Sequence, residues 1–100
     1  MTTYTLKRRP TTVQAVPFNG SNWGEIYAFT GGANFTQIEP RPVPGDGVMV
    51  AEIYNYLHCQ WVGVFVGQWI VKGLLGEFYP IDDSVAHAGY EEPEGGWPGV

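Results

Sequence analysis

The sequence predicts an α+β domain: one bent, mostly antiparallel sheet of five or six strands packed on one main helix, with a short C-terminal helix. Three observations predict it. The apolar residues are skewed towards valine, isoleucine and aromatics, with leucine only at Leu6, Leu57, Leu74 and Leu75, and β-branched and aromatic residues suit a pleated, half-buried surface. Glycine occurs 14 times, mostly between short alternating runs, as turns between strands require. A single segment has helical periodicity. One hundred residues make one domain, assigned to 1–90, with 91–100 as a flexible acidic tail.

Thr11–Phe18 (TTVQAVPF) is a strand, with Val13, Ala15 and Pro17 facing one way and Gln14, Val16 and Phe18 the other. Pro17 has no N–H and belongs at an edge or a strand end. Asn19-Gly20 marks a turn. Ser21 or Asn22 then caps the main helix, Asn22–Thr30, with Glu25 in the first turn, where the helix dipole favours a carboxylate. Trp23, Ile26, Tyr27 and Phe29/Thr30 form its apolar face, and Gly31-Gly32 ends it.

Asn34–Glu39 reads as a second strand. Pro40–Gly47 reads as a loop, because three prolines and two glycines oppose regular structure. Val48–Tyr54 is a strand; a short helix through Glu52–His58 competes, since periodicity does not settle so short a run. Gln60–Val66 alternates cleanly and is apolar on both faces, which predicts a central strand or one packed on two sides. Gly67-Gln68 turns into Trp69–Gly73, and Leu74–Gly76 turns into Glu77–Ile81, so these three strands read as a meander. Asp82 or Asp83 caps a last helix, Ser84–Ala88, packing Val85 and Tyr90. Glu91–Val100 holds two prolines, three glycines and three acids and reads as a frayed tail.

Charged residues are 15% of the chain, against a usual ~25%, so part of the surface must be apolar or aromatic. That favours an oligomer or a partner-binding face. The net charge is −5, with +2 on residues 1–44 and −7 on 45–100. This acidic excess opposes nucleic-acid binding, which needs a basic stripe to displace counterions; Lys7–Arg9 is too short to supply one. The lone Cys59 permits no intramolecular disulfide. No signal-like segment opens the chain, and Trp61–Val71 is broken by Gly63, Gly67 and Gln68 and too short to span a bilayer. These features suit folding in a reducing cytoplasm, without a membrane.

Gly67, Gln68, Trp69, Ile70, Val71, Lys72, Gly73, Gly76, Glu77, Phe78, Tyr79 and Pro80 form a block resembling G-D/Q-W-I/V-V/I-K/R-G-x-x-G-E-F-Y-P. That block is characteristic of a family of small proteins from tailed phages and prophages of actinobacteria and other Gram-positive hosts. The likeness extends to Arg9-Pro10 with Val13–Phe18, to Ile53–Trp61 (IYNYLHCQW) and to Tyr90-Glu91. The chain departs from the pattern at Asp82-Asp83-Ser84 and Ala86–Gly89, where members carry a firmer helix. The resemblance implies a phage gene product acting in the cytoplasm of an infected bacterial host; it implies no activity. The glycines of the block also serve as turn residues, and Trp69, Phe78 and Tyr79 as core and cross-strand contacts.

Chemistry is sparse. His58-Cys59 is the one pair that suggests nucleophilic catalysis, but adjacent strand residues point to opposite faces, so His58 would not activate Cys59. His58, Cys59 and His87 lack metal-ligand spacing. Gly31-Gly32 and Gly45-Asp46-Gly47 lack the lysine and helix of a phosphate loop, and a helix cap accounts for Asp82-Asp83. The sequence therefore predicts no catalytic site, no metal and no cofactor. Aromatic residues are enriched at protein interfaces, and Tyr54, Tyr56, His58 and Trp61 form an aromatic stretch in a charge-poor chain; sheet-core packing is the competing reading. With Trp69, Lys72 and Glu77 they make the candidate partner-binding set. The function expected is a non-enzymatic phage accessory protein binding a host protein. The alternatives are a small-ligand or nucleotide-binding protein with a pocket of Trp69, Lys72 and an arginine such as Arg41, or a minor virion or assembly protein.

Overall fold

A computed structural model of the chain describes residues 3–8, 11–93 and 95–98; Arg9, Pro10 and Glu94, on which some of the expectations above bear, lie outside that set. Among the described residues, seven strands and two helices run in the order β1 (Tyr4–Arg8), β2 (Thr11–Pro17), α1 (Trp23–Thr30), β3 (Phe35–Val43), β4 (Gly47–Asn55), β5 (Gln60–Phe65), β6 (Trp69–Lys72), β7 (Phe78–Ile81) and α2 (Asp83–Gly89). The α+β class is as expected. The single sheet is not: the strands divide into a four-stranded sheet, β1-β2-β6-β7, and a three-stranded sheet, β3-β4-β5, each antiparallel throughout.

The division falls at residues 66–68. Phe65 and Gln68 close a turn, with the Gln68 N–H donating to the Phe65 carbonyl at 3.2 Å and the Phe65 N–H to Gln68 Oε1 at 2.9 Å. Gly67, at φ 97°, donates instead to the Phe18 carbonyl at 2.9 Å, and the Phe18 N–H donates to the Gln68 carbonyl at 2.9 Å. Gly67-Gln68 is thus a corner that passes the chain from one sheet to the other. The expected three-strand meander is corrected accordingly: β6 pairs with β2 and β7, not with β5.

Alternation along β2 and β6 gives the four-stranded sheet an apolar residue on each side at nearly every step. One side carries Val16, Phe18, Ile70 and Phe78 and packs on Phe35, Ile53 and Val64 of the three-stranded sheet and Ile26 of α1. The other carries Leu6, Val13, Ala15, Trp69 and Val71 and is covered by Ala86 of α2 with Tyr90 and Trp97. β6, between β2 and β7, is therefore buried on both faces, as is the inner part of β2. β5, for which that position was expected, lies at an edge with Trp61 46% exposed; its apolar outward face reads like burial in a single sequence.

The loop expected over Pro40–Gly47 is also corrected. β3 runs through Pro40 and Pro42, with a register shift between Gln37 and Arg41 and pairs Arg41↔Met49 and Pro42↔Val48. β3 is an edge strand, so a proline nitrogen turned outward costs no ladder bond. Residues 48–55 are strand rather than helix.

Gly31 takes φ 82° at the C-terminus of α1, as expected. Asn22 stands at its N-cap without capping. Its amide instead donates to the Pro17 carbonyl at 2.7 Å, and its Oδ1 accepts from the Asn19 N–H at 2.9 Å, tying the helix entry to the end of β2. At α2, Tyr90 packs on the core as expected, beside the buried Ala86, whereas Val85, expected to pack, is half exposed. Among the described residues after Tyr90, Trp97 meets Trp69 edge-on at 5.7 Å and stacks on His87 at 4.0 Å, and Pro93 is buried.

Candidate functional site

Two turns, one from each sheet, meet at one end of the molecule. The β4–β5 turn, residues 56–59, is organised by the buried Asn55. Its Oδ1 accepts from the Leu57 N–H at 3.0 Å, and its carbonyl accepts from the His58 N–H at 3.2 Å. Cys59 closes the turn at φ 51°, a left-handed conformation uncommon outside glycine and asparagine. The β6–β7 turn, residues 73–77, is organised by glycines and one carboxylate. The Gly73 N–H donates to the Glu77 carbonyl at 2.7 Å and the Gly76 N–H to the Gly73 carbonyl at 3.1 Å, while Glu77 Oε1 accepts from the Leu75 N–H at 3.1 Å. The Tyr56 hydroxyl donates to the Leu75 carbonyl and joins the two turns.

With these backbone groups bonded within and between the turns, large apolar side chains still stand in solvent. Leu74 and Leu75 are 68% and 66% exposed, and Tyr56 and Leu57 nearly half. Three of the four leucines of a leucine-poor chain thus stand at one solvent-facing end.

Beside this end, Tyr54 and Trp61 are direct cross-strand partners of β4 and β5, with ring centroids 5.4 Å apart. Further along the same outward face, the Met49 side chain lies across Gly63, filling the space where a Cβ would stand, and the Arg41 guanidinium donates to Met49 Sδ at 3.5 Å. The Tyr54 hydroxyl is held above its usual pKa, first by the desolvation around it and then by the Cys59 thiol beside it.

The seven residues singled out from the sequence do not form one surface. Tyr54 and Trp61 are brought together, and Tyr56 joins the turn that holds Glu77. His58 is exposed in the β4–β5 turn, and Lys72 is exposed at the end of β6. Trp69 is 1% exposed, in the core on the α2 side of the four-stranded sheet; its Nε1–H donates to Asp83 Oδ1 at 2.9 Å and its ring meets Tyr4 edge-on at 5.3 Å. It is a core residue rather than part of an exposed face. Leu57, Leu74 and Leu75 were missed, although two adjacent leucines between Gly73 and Gly76, at turn positions that polar residues usually fill, were a visible signal.

His58 and Cys59 lie in a turn rather than on a strand, and the exposed Cys59 thiol approaches the Tyr56 carbonyl at 3.5 Å. His87 Nε2 lies 3.2 Å from Asp83 Oδ1. Among the described residues no three metal-ligating side chains group together, and no helix is long and apolar enough to cross a membrane.

A cleft of about 510 Å³ opens where the sheets meet, lined by Tyr4, Phe18, Asn22, Glu25, Trp69 and Asp83 among others. Neither Lys72 nor Arg41 reaches it. Arg41 instead borders a shallow depression with Ile38, Glu39, Pro40 and Glu52. The pocket imagined for a phosphate ligand, combining Trp69, Lys72 and Arg41, is not assembled. Comparison with models of known protein families, with curated proteins and with solved structures gives no match.

Proposed function

We propose that the protein is a non-enzymatic binding module that engages a protein of a bacterial host through the Tyr56–Leu57–Leu74–Leu75 end, with Tyr54 and Trp61 flanking it. The observation that carries the reading is the exposure of four large apolar side chains on two turns whose backbones are internally hydrogen-bonded and joined by the Tyr56 hydroxyl. A pre-ordered apolar end binds with little additional ordering cost; aromatic side chains such as Tyr56, Tyr54 and Trp61 are the usual energetic centres of protein interfaces, and the leucines add apolar area around them. The resemblance of the Gly67–Pro80 block to small phage proteins supports a host partner.

The test is affinity capture from the lysate of a Gram-positive host with the wild-type chain and with Leu74→Asp/Leu75→Asp, after circular dichroism and thermal melts have shown the variant folded. A specific host protein retained by the wild type and released by the folded variant supports the reading. Retention of the same protein by both refutes the proposed face, and no specific protein on either refutes the host-partner reading.

A second reading, small-ligand binding, is favoured by the cleft at the sheet junction. Its Glu25 and Asp83 carboxylates select a cationic ligand over a nucleotide. Thermal shifts with polyamines and with nucleotides distinguish these two ligand classes.

A further inference from the structure

The two sheets expose four edge strands, and they differ in how they are protected against pairing with another chain. Natural edges are blunted by charge, proline, bulges or shortness. The β1 sequence contains Lys7 and Arg8. β7 is four residues long and contains Pro80, and β3 contains Pro40 and Pro42 together with a register shift. β5 itself has none of these: Gln60–Phe65 (QWVGVF) carries neither charge nor proline, and the register shift in its pairing with β4 falls on β4, between Met49 and Ala51. It has the composition of a central strand and stands at an edge.

The edge of β5 is closed at one end only. The N–H and C=O of Phe65 turn away from β4 and are both taken by Gln68, at 2.9 and 3.2 Å. Backbone polar groups of alternate residues in a strand point to the same side, so the main-chain groups of Gly63 and Trp61 face outward in the same row. Among the described residues, no side chain or loop backbone bonds to either of them.

We propose that this edge pairs with β5 of a second copy, antiparallel, about a two-fold axis through Val62, joining the two three-stranded sheets into one of six strands. In that register Trp61 lies opposite Gly63 of the second copy, and Gly63 opposite Trp61 of the second copy. Each pair forms two main-chain hydrogen bonds, and the four bonds use all the outward groups of both residues in both chains. Phe65, occupied by Gln68, is not required. Directly opposed residues share a face, so each indole comes to lie against the Met49 side chain that covers Gly63 of the other copy, a sulfur–aromatic contact. A register centred on Gly63 would instead need the occupied groups of Phe65. The interface is isologous and closes at two copies. It uses none of the leucines of the end proposed for a host partner, and shares with that surface only the flanking Trp61.

The register sets a specific test. Val62 faces Val62 of the second copy as a non-hydrogen-bonded pair, with Cα atoms about 4.5 Å apart, within the range a disulfide spans. Val64 faces Gln60 and stands far from its own copy. In a Cys59→Ser background, Val62→Cys is oxidised under mild conditions and run on a non-reducing gel beside Val64→Cys. The mass of the wild type is followed by sedimentation equilibrium up to millimolar concentration, beside Trp61→Lys, whose fold is verified by thermal melt.

The expected results are a wild type that doubles in mass as concentration rises, a Trp61→Lys that stays monomeric, and a disulfide-linked dimer from Val62→Cys alone. A wild type monomeric throughout overturns the proposal. So does a dimer unaffected by Trp61→Lys, and so does cross-linking through Val64→Cys but not Val62→Cys.

Discussion

Gly73 and Glu77 are coupled, and the coupling has a sign that can be measured. A Cβ on Gly73 would overlap the Glu77 carboxylate, with Oε2 at 2.7 Å and the other carboxyl atoms closer. The overlapped atoms end a flexible side chain, so Gly73→Ala displaces the carboxylate rather than the backbone. Displacement breaks its hydrogen bond from the Leu75 N–H, a loss of about 1 kcal/mol for a typical intramolecular bond. Against this, Gly73 is not in a left-handed conformation, and an alanine there restricts the unfolded chain, a gain of about 0.5 kcal/mol. Gly73→Ala should therefore cost about 0.5 kcal/mol net in the wild type, lowering Tm by about 2–4 °C for a domain of this size. In a Glu77→Ala background the carboxylate and its bond are already gone and only the gain remains. There Gly73→Ala should raise Tm by a similar amount, for a coupling of about 1 kcal/mol. Thermal melts of the four proteins followed by far-UV circular dichroism complete the cycle. The same shift in both backgrounds would refute the reasoning and place the Glu77 carboxylate elsewhere in solution.

Trp61 and Trp69 should respond in opposite ways to truncation. Trp69→Ala, in the core, should cost about 3–5 kcal/mol, whereas Trp61→Ala, half exposed, should cost under about 1 kcal/mol in a monomer; urea titrations compare them. Asp83→Asn keeps an oxygen for the Trp69 Nε1–H and loses only a solvent-exposed pairing with His87, so its stability should change by under about 0.5 kcal/mol, while Asp83→Ala removes the acceptor and should cost about 1 kcal/mol or more. Deleting residues 95–100 removes Trp97 from the face of Trp69; Trp69 emission should shift to longer wavelength and stability should fall by about 1 kcal/mol from the lost aromatic contacts.

Local structure was legible where local chemistry decides it. The apolar spacing over Trp23–Thr30 and the glycine after it located α1. The alternation in Val13–Phe18 assigned Val13 and Ala15 to one core face and Val16 and Phe18 to the other. The glycines of the Gly67–Pro80 block located the turns. Sheet membership was not legible, because it depends on partners distant in sequence: Gly67-Gln68 has the length of a hairpin turn, and only its bonds to Phe18 show that it is a corner. The same ambiguity defeated the assignment of the two tryptophans. Trp61 and Trp69 both sit in short apolar runs of similar composition, and burial separates them only once β6 is seen to lie between β2 and β7 and β5 at an edge. The prolines at 40 and 42 were read as breakers because an edge position cannot be recognised in advance. Of the candidate site, the aromatic pair Tyr54–Trp61 was legible and the leucine end was not, since turn residues are expected to be polar.

The pairing of β2 with β6 has a consequence for synthesis. β3, β4 and β5 follow one another and can close as a local meander, a cheap loop-closure problem. β2 cannot: Gln14 waits for Lys72, and Val16 for Ile70. At a translation rate of about 5–20 residues per second the wait is several seconds. Throughout it, β2 leaves the ribosome with apolar residues on both faces and one edge unpaired. The nascent N-terminal third is therefore the segment most exposed to misassociation, and the one on which a cellular chaperone would act.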